Sequence, residues 1–421
     1  MNPNVISNVS WLFLVQVASY ASPLMNVLFL TRALGPRAWG TLATFQALAS
    51  CLSLIVEYGF GLSATREVAQ SRDHPRVLEQ LLAAVLAAKL GLSVTLALVL
   101  ACCYPAVPIL KTHPLLTTCA VAVAIGPSLT PLWFYQGLER IKSAALIDLA
   151  GRTAGTVLTV TIVRHPSQVW LALAIPGLAG LSSTTVNHLK LYRTYRFVPP
   201  TLKLIVRALR LGWSMFLYRS SVSLYTIGNA FILAMFVAPE YVGYYAAAEK
   251  IARSVIGLLA PISQAVLPRV SYLVHTNLKQ AAIFARTCFR LTSLLGIAAG
   301  IVTFVTAPTV TSVLLGHKFA EVASALRILA LLPPLIAMSN ALGFQWLFPL
   351  RRDSALNTAI ALAGLLNVSL ALMLAPAFRH QGMAWAVVAA EGFVTFSFFA
   401  YLKVNRLSPG AIAHASEAYA G

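Results

Sequence analysis

The residues of this chain best placed to do chemistry are charged side chains standing inside apolar runs. In Tyr244-Tyr-Ala-Ala-Ala-Glu-Lys-Ile-Ala-Arg253, the groups Glu249, Lys250 and Arg253 interrupt an otherwise uncharged stretch. On a helix, Lys250 and Arg253 at i, i+3 share a face, and Glu249 can pair with Arg253 at i, i+4. Counting 1.5 Å per residue from about Val242 places Lys250 ~12 Å and Arg253 ~16 Å deep, close to the midplane of a ~30 Å hydrocarbon core. Arg219, beside Tyr218, reaches a similar depth from the other end of the preceding run. A charge at such depth costs at least ~2.5–3.5 kcal/mol, so it must meet a partner or a polar cavity. Farther upstream stand Glu57, Lys89 and the i, i+4 pair Asp148 and Arg152, and farther downstream Glu391.

Two readings of these charges are open: they pair with one another and only fix helix packing, or they line a binding site. Basic groups outnumber acidic ones at this depth, and an excess of arginine and lysine suits an anion, above all a phosphate. Arg219, Lys250, Arg253, Lys89 and Arg152 are therefore candidate binding residues, with Glu57, Asp148, Glu249 and Glu391 as coupling or ion-pair carboxylates. Asp148 and Arg152 are spaced to neutralise each other, Glu57 lies near a span end, and Glu391 has no nearby escape to water. Tyr218, Tyr225, Tyr244 and Tyr245 could stack on sugar rings, although packing is the default for any one of them.

No other chemistry is indicated. Cys51, Cys102, Cys103, Cys119 and Cys288 lack C-x-x-C or Cys/His spacing and behave as small hydrophobes, so no metal or cofactor is expected. A phosphate-binding G-x-x-x-x-G-K-[ST] loop is missing, and no segment between apolar runs is long enough for an ATPase domain. The chain reads as a non-enzyme.

The elements that position these charges are membrane spans. Of the 421 residues, 58% are hydrophobic and 10% charged, and the mean hydropathy is +0.78, far from the ~25% charged of soluble domains. About twelve apolar stretches are expected, near 9–31, 40–61, 81–104, 114–135, 144–162, 169–191, 211–237, 242–266, 286–307, 322–347, 355–375 and 382–403, each near the ~20 residues a bilayer demands. The first reads as a permanent span rather than a cleaved signal. Eighteen lysines and arginines fall in the terminal and even-numbered connections, against six in the odd ones: Arg32, Arg37, Lys111, Arg164, Lys318 and Arg379. Both termini are therefore expected in the cytoplasm. The same asymmetry accounts for most of the net charge of +19, so no nucleic-acid partner is implied; membrane lipids are.

Shifting the chain by 203 positions lays Pro36, Gly40 and Arg66 on Pro239, Gly243 and Arg269. Trp133-Phe-Tyr before Arg140 similarly resembles Trp346-Leu-Phe before Arg351. The expected fold is thus an all-α polytopic membrane protein with two six-helix lobes, 1–192 and 211–404. A basic linker, 193–210, joins them and a tail, 405–421, follows. Six is even, so both lobes enter from the same side, which makes the pseudo-repeat parallel.

Four motifs together resemble a known family: Arg32-Ala-Leu-Gly-Pro-Arg-Ala-Trp-Gly40, Glu57-Tyr-Gly-Phe-Gly-Leu-Ser-Ala-Thr-Arg66, Trp133-Phe-Tyr-Gln-Gly-Leu-Glu-Arg140, and Gly243-Tyr-Tyr-Ala-Ala-Ala-Glu-Lys250 with Pro261 and Pro268-Arg269 after it. In this order they look like the polysaccharide repeat-unit flippases (O-antigen or exopolysaccharide, Wzx-type) of the multidrug/oligosaccharidyl-lipid/polysaccharide exporter superfamily. That resemblance implies flipping of undecaprenyl-diphosphate-linked oligosaccharide from the cytoplasmic to the periplasmic leaflet of a bacterial inner membrane. It also implies alternating access of two lobes around a cationic cavity, with a polysaccharide polymerase and a chain-length regulator as partners. Lys250 becomes a diphosphate contact, and Pro36, Gly40, Arg66, Pro239 and Gly243 gate or motif positions. Where many members carry Asp before Gly-Phe-Gly, this chain has Glu57-Tyr58, which leaves that carboxylate's role open. The rival readings are a cation-coupled drug exporter or a peptidoglycan-precursor exporter of the same superfamily, and, in another class, an O-antigen polymerase or glycosyltransferase. The first wants acidic sites, the second two further spans, and the polymerase a large outer loop.

Overall fold

The structure, a computed structural model, describes residues 3–224 and 226–415. Side chains are described for 25–412 except 214, 218, 221, 222, 224, 225 and 260–265. Tyr218, Tyr225 and most of the first expected span thus lie outside the described side chains, and the end of the 405–421 tail outside the described residues. Every regular element among the described residues is helical.

By contacts the chain divides into two compact units, Met1–Ser223 and Leu224–Gly421. The first contains α1 (Pro3–Glu57), α2 (Phe60–Gln70), α3 (Pro75–Cys103), α4 (Pro108–Thr112), α5 (Pro114–Ser128), α6 (Leu132–Gly137), α7 (Ile141–Ile162), α8 (Leu171–Tyr192) and nearly all of α9 (Leu202–Leu224). The second contains α10 (Asn229–Ala234), α11 (Pro239–Gly257), α12 (Ala260–Thr276), α13 (Leu278–Leu315), α14 (Val322–Leu329), α15 (Leu332–Leu342), α16 (Asp353–Val404) and α17 (Pro409–Ala415). The basic segment 193–210 and the start of α9 fall in the first unit, and Gly212 of α9 sits where an added Cβ would meet the Tyr58 carbonyl at 2.7 Å.

Proline explains where these helices break. The ring of Pro36 pushes the preceding residue out of the helical region, and Gly35 takes φ 72, ψ 174, dividing α1 in two. Ala238, ahead of Pro239, is likewise extended at φ −62, ψ 151, so the aligned prolines each open a helix. Pro127 and Pro131 flank the break between α5 and α6, and Pro333 and Pro334 open α15 after the break at Leu331. The Trp133 and Trp346 motifs also end alike. Glu139 (φ 58) and Arg351 (φ 56) both turn left-handed, and the amides of Arg140 and Arg352 reach back to the carbonyls of Tyr135 (2.9 Å) and Leu347 (3.1 Å), the six-to-one bond that closes many helix ends. Around these ends each unit builds a core, from Phe60, Val68, Leu82 and Phe134 in the first and Val270, Trp346, Leu347 and Ala390 in the second.

Eight helical stretches among the described residues are long and apolar enough to cross a membrane. Two of them, Met25–Gln70 and Asp353–Ile412, run 46 and 60 residues, too long for single crossings, and are broken at Gly35 and Arg379. Counting both sides of each break gives ten of the twelve expected spans. The remaining two, α9–α10 and α11–α12, carry Arg219 and the Glu249–Arg253 turn. Leucine, valine and phenylalanine side chains such as Leu294, Val305 and Phe396 stand two-thirds exposed, which suits contact with lipid tails. The chain is a multi-pass membrane protein.

Candidate functional site

In the second unit, α11 turns Ala246, Ala247, Ala248 and Ala252 inward, all at 4% exposure or less. That small-residue face lets neighbouring helices approach, and leaves the charges of the same turns on another face. Arg253 grips Glu249 through two nitrogens, Nε at 3.0 Å and Nη2 at 2.8 Å from Oε1. Nη2 also donates to the Thr226 carbonyl at 2.6 Å, a group exposed by the break between α9 and α10. Lys250, one residue on from Glu249, is half-buried. Glu391 of α16 is buried, and its electrostatic neighbour is Arg253, beyond ion-pair distance. Within this unit the cluster thus brings two cations together with two carboxylates.

Arg219 belongs to the first unit. Its Nη1 lies 2.5 Å from Oε2 of Glu57, at the end of α1, where Tyr58 (φ 47) and Gly59 (φ 74) interrupt the helix. Tyr58 stacks on Phe216 of α9 at 4.7 Å, which fixes α9 against the break. Lys89 of α3 is buried, and its ammonium donates to the Ser128 carbonyl at 2.5 Å. That carbonyl ends α5, where the helix has lost its continuing amides at Pro131, and a cation there also suits the helix dipole. Ser128 closes the arrangement by sharing a 2.6 Å hydroxyl bond with Ser53. Lys89→Met should lower the stability of the purified protein by about 1–3 kcal/mol, the cost of leaving a buried carbonyl unmade, read as a lower thermal midpoint in detergent. An unchanged midpoint would contradict this capping role.

Asp148 and Arg152 pair at 2.8 Å along α7, as their spacing predicts. Arg66 is exposed, and Gly40 and Gly243 are buried in helices that open at Pro36 and Pro239.

One contact set was not readable from spacing. Arg72 donates from Nε to the Gly137 carbonyl at 2.9 Å and pairs with Glu139 at 2.7 Å, across 67 residues. It caps the short helix of the Trp133–Arg140 motif, and its guanidinium holds the exposed Glu139 carboxyl below the ordinary carboxylate range. Gly137 is required there, since a Cβ would come within 2.6 Å of Val68. The left-handed turn at Glu139 brings the carboxylate to Arg72, and no pattern of apolar residues announces it.

The sequence model of the family described as "Polysaccharide biosynthesis protein" matches residues 5–274. The chain belongs to that family. Two curated relatives extend the likeness to nearly the full length. The "Putative O-antigen transporter" of Escherichia coli (strain K12) is 29% identical over 97% of this chain and 99% of its own. Its namesake from Shigella dysenteriae is 28% identical over 94% and 99%. Among solved structures, "Lipid II flippase MurJ, inward closed conformation" matches with a TM-score of 0.72 at 12% identity, over 94% of this chain and 87% of that one. An inward-facing multidrug resistance MATE family transporter of the MOP superfamily matches at 0.66 and 15% identity, over 95% and 96%. At such identities the two structures establish the fold, and this member of the polysaccharide biosynthesis family has the fold of those transporters.

Proposed function

We propose that this polysaccharide biosynthesis family member flips undecaprenyl-diphosphate-linked oligosaccharide repeat units from the cytoplasmic to the periplasmic leaflet of a bacterial inner membrane. The observation that carries the reading is the end-to-end match to two proteins named as O-antigen transporters, covering both compact units rather than one. The charged turn of α11 supports it. Lys250 and Arg253 offer adjacent cations at membrane depth, and Glu249 holds the guanidinium ready until a more highly charged oxyanion displaces the carboxylate. The diphosphate is the group common to all such lipids, which makes it the natural fixed contact.

Transport proceeds by alternating access, with both termini cytoplasmic. A negative-inside potential favours outward movement of negative charge by about 2.3 kcal/mol per charge per 100 mV, so a diphosphate crossing unneutralised needs no nucleotide. Buried Glu391 is placed for the alternative, proton coupling through a carboxylate near the same arginine. The polymerase and chain-length regulator that assemble such polysaccharides are the partners this role calls for.

A depletion experiment tests the reading in cells. Loss of the chain should leave single lipid-linked repeat units accumulating unpolymerised, with polysaccharide restored by the wild-type gene. Normal polysaccharide with no accumulation would contradict it.

A further inference from the structure

The second unit carries a separate cavity of about 580 Å³ at its odd-loop end, lined by Glu240, Tyr241, Tyr244, Glu321, Arg379 and His380. Glu321, Arg379 and His380 come from the connections that follow the ninth and eleventh expected spans, and Glu240, Tyr241 and Tyr244 from the first turns of α11, ahead of its Glu249–Arg253 turn. None of the four family-like motifs accounts for Glu321, Arg379 or His380.

The cavity is built rather than incidental. Arg379 adopts φ 52, ψ −130, the mirror image of the extended region and ordinarily open only to glycine. Such strain persists where surrounding contacts hold it, and it marks functional positions. Here the guanidinium donates to the Tyr241 hydroxyl at 2.5 Å and lies 4.5 Å from the centre of that ring. His380 stacks on Tyr241 at 5.7 Å and meets Tyr244 edge-on at 5.6 Å. Although His380 is 4% exposed, its Nδ1 has no hydrogen-bond partner, while Nε2 meets Ser324 at 3.1 Å and Glu321 at 3.9 Å. Burial pushes the imidazole below its ordinary pKa, so at neutral pH the ring is uncharged, and its Nδ1 is buried without a partner.

The ligand class follows from the charge. Two carboxylates face one guanidinium and a neutral imidazole, which disfavours a diphosphate and suits an uncharged molecule rich in hydroxyls. Carboxylates accept from paired hydroxyls, the guanidinium answers ring and amide oxygens, and the volume lies within the ~300–1,000 Å³ of small-ligand sites. Exposed Phe378 at the rim adds an apolar surface.

We infer that this cavity is a saccharide subsite, which holds sugar residues of the transported oligosaccharide on the side away from the basic loops. The inference rests on the proposed flipping activity for the source of the sugar, and on the cavity alone for the binding.

The test uses the full chain in nanodiscs and, as probe, the free oligosaccharide released by mild acid from lipid-linked repeat units, followed by saturation-transfer NMR. Wild type should bind. Glu240→Gln with Glu321→Gln should weaken binding at least tenfold, as should Arg379→Gly, which keeps the backbone turn but removes the guanidinium. Phe396→Ala, at an exposed side chain in neither site, should bind as wild type does. Absence of binding by folded wild type, or unchanged binding in both cavity variants, would overturn the subsite. Leaflet transfer measured on the same preparations separates the claims: transfer without binding sinks only the subsite, and binding without transfer sinks the flippase reading.

Discussion

Alanine at both Lys250 and Arg253 should reduce leaflet transfer of a lipid-diphosphate-linked oligosaccharide by about 100-fold or more, because hydrogen bonds to charged groups contribute roughly 1.5–3 kcal/mol each. The competing account treats the Glu249–Arg253 pair, at 2.8 Å, as packing alone. Glu249→Gln separates the two. If the pair only fastens helices, the single glutamine lowers stability and transfer together, much as losing Arg253 does. If the carboxylate is a placeholder for the diphosphate, Glu249→Gln retains transfer and tightens lipid-diphosphate binding, since the guanidinium no longer has an internal anion to release. Transfer rates alongside thermal midpoints for wild type, the double alanine variant and Glu249→Gln check this.

The largest structural effect is expected at Gly59. A Cβ there would lie 2.7 Å from the Met215 Cβ and 2.8 Å from the Phe216 amide nitrogen, at φ +74. Backbone of α9 cannot retreat as a flexible side chain could. Gly59→Val should therefore cost about 3 kcal/mol or more, combining the left-handed penalty with overpacking. Gly35, with φ +72, ψ 174 and nothing within 4 Å of its added Cβ, sits in a different glycine-only region without crowding, so Gly35→Val should show the conformational part alone, about 1–3 kcal/mol. Displacing α9 would also separate Arg219 from Glu57, so Gly59→Val should lose transfer as well. A loss in Gly59→Val no larger than the left-handed penalty of about 1–2 kcal/mol would contradict the close approach.

The span pattern was readable because lipid imposes it. Apolar length identified the helices, and the aligned prolines marked where each half opens a helix. The i, i+4 pairs Asp148–Arg152 and Glu249–Arg253 were legible for the same reason, since helical spacing alone brings them together. Partnerships between helices were not. Glu57 with Arg219 and Arg72 with Glu139 depend on left-handed residues at Tyr58 and Glu139, and Lys89 finds Ser128 because prolines break the helix nearby. These are tertiary events at helix ends, outside what periodicity encodes. The sequence grouped Arg219 with Lys250 and Arg253 by depth and gave no sign of its bond to Glu57. Arg379 escaped notice because a lone arginine in a short connection looks like any solvated loop charge, and only its backbone conformation distinguishes it.

The most direct test of the central claim places a lipid-diphosphate-linked oligosaccharide in one leaflet of proteoliposomes containing the purified chain and follows its arrival in the other with a membrane-impermeant sugar-cleaving probe. Transfer that requires the protein, and that quickens when an imposed potential favours movement of negative charge in the outward direction, is the predicted result. Folded protein that moves no lipid-linked oligosaccharide with that potential imposed would contradict the account.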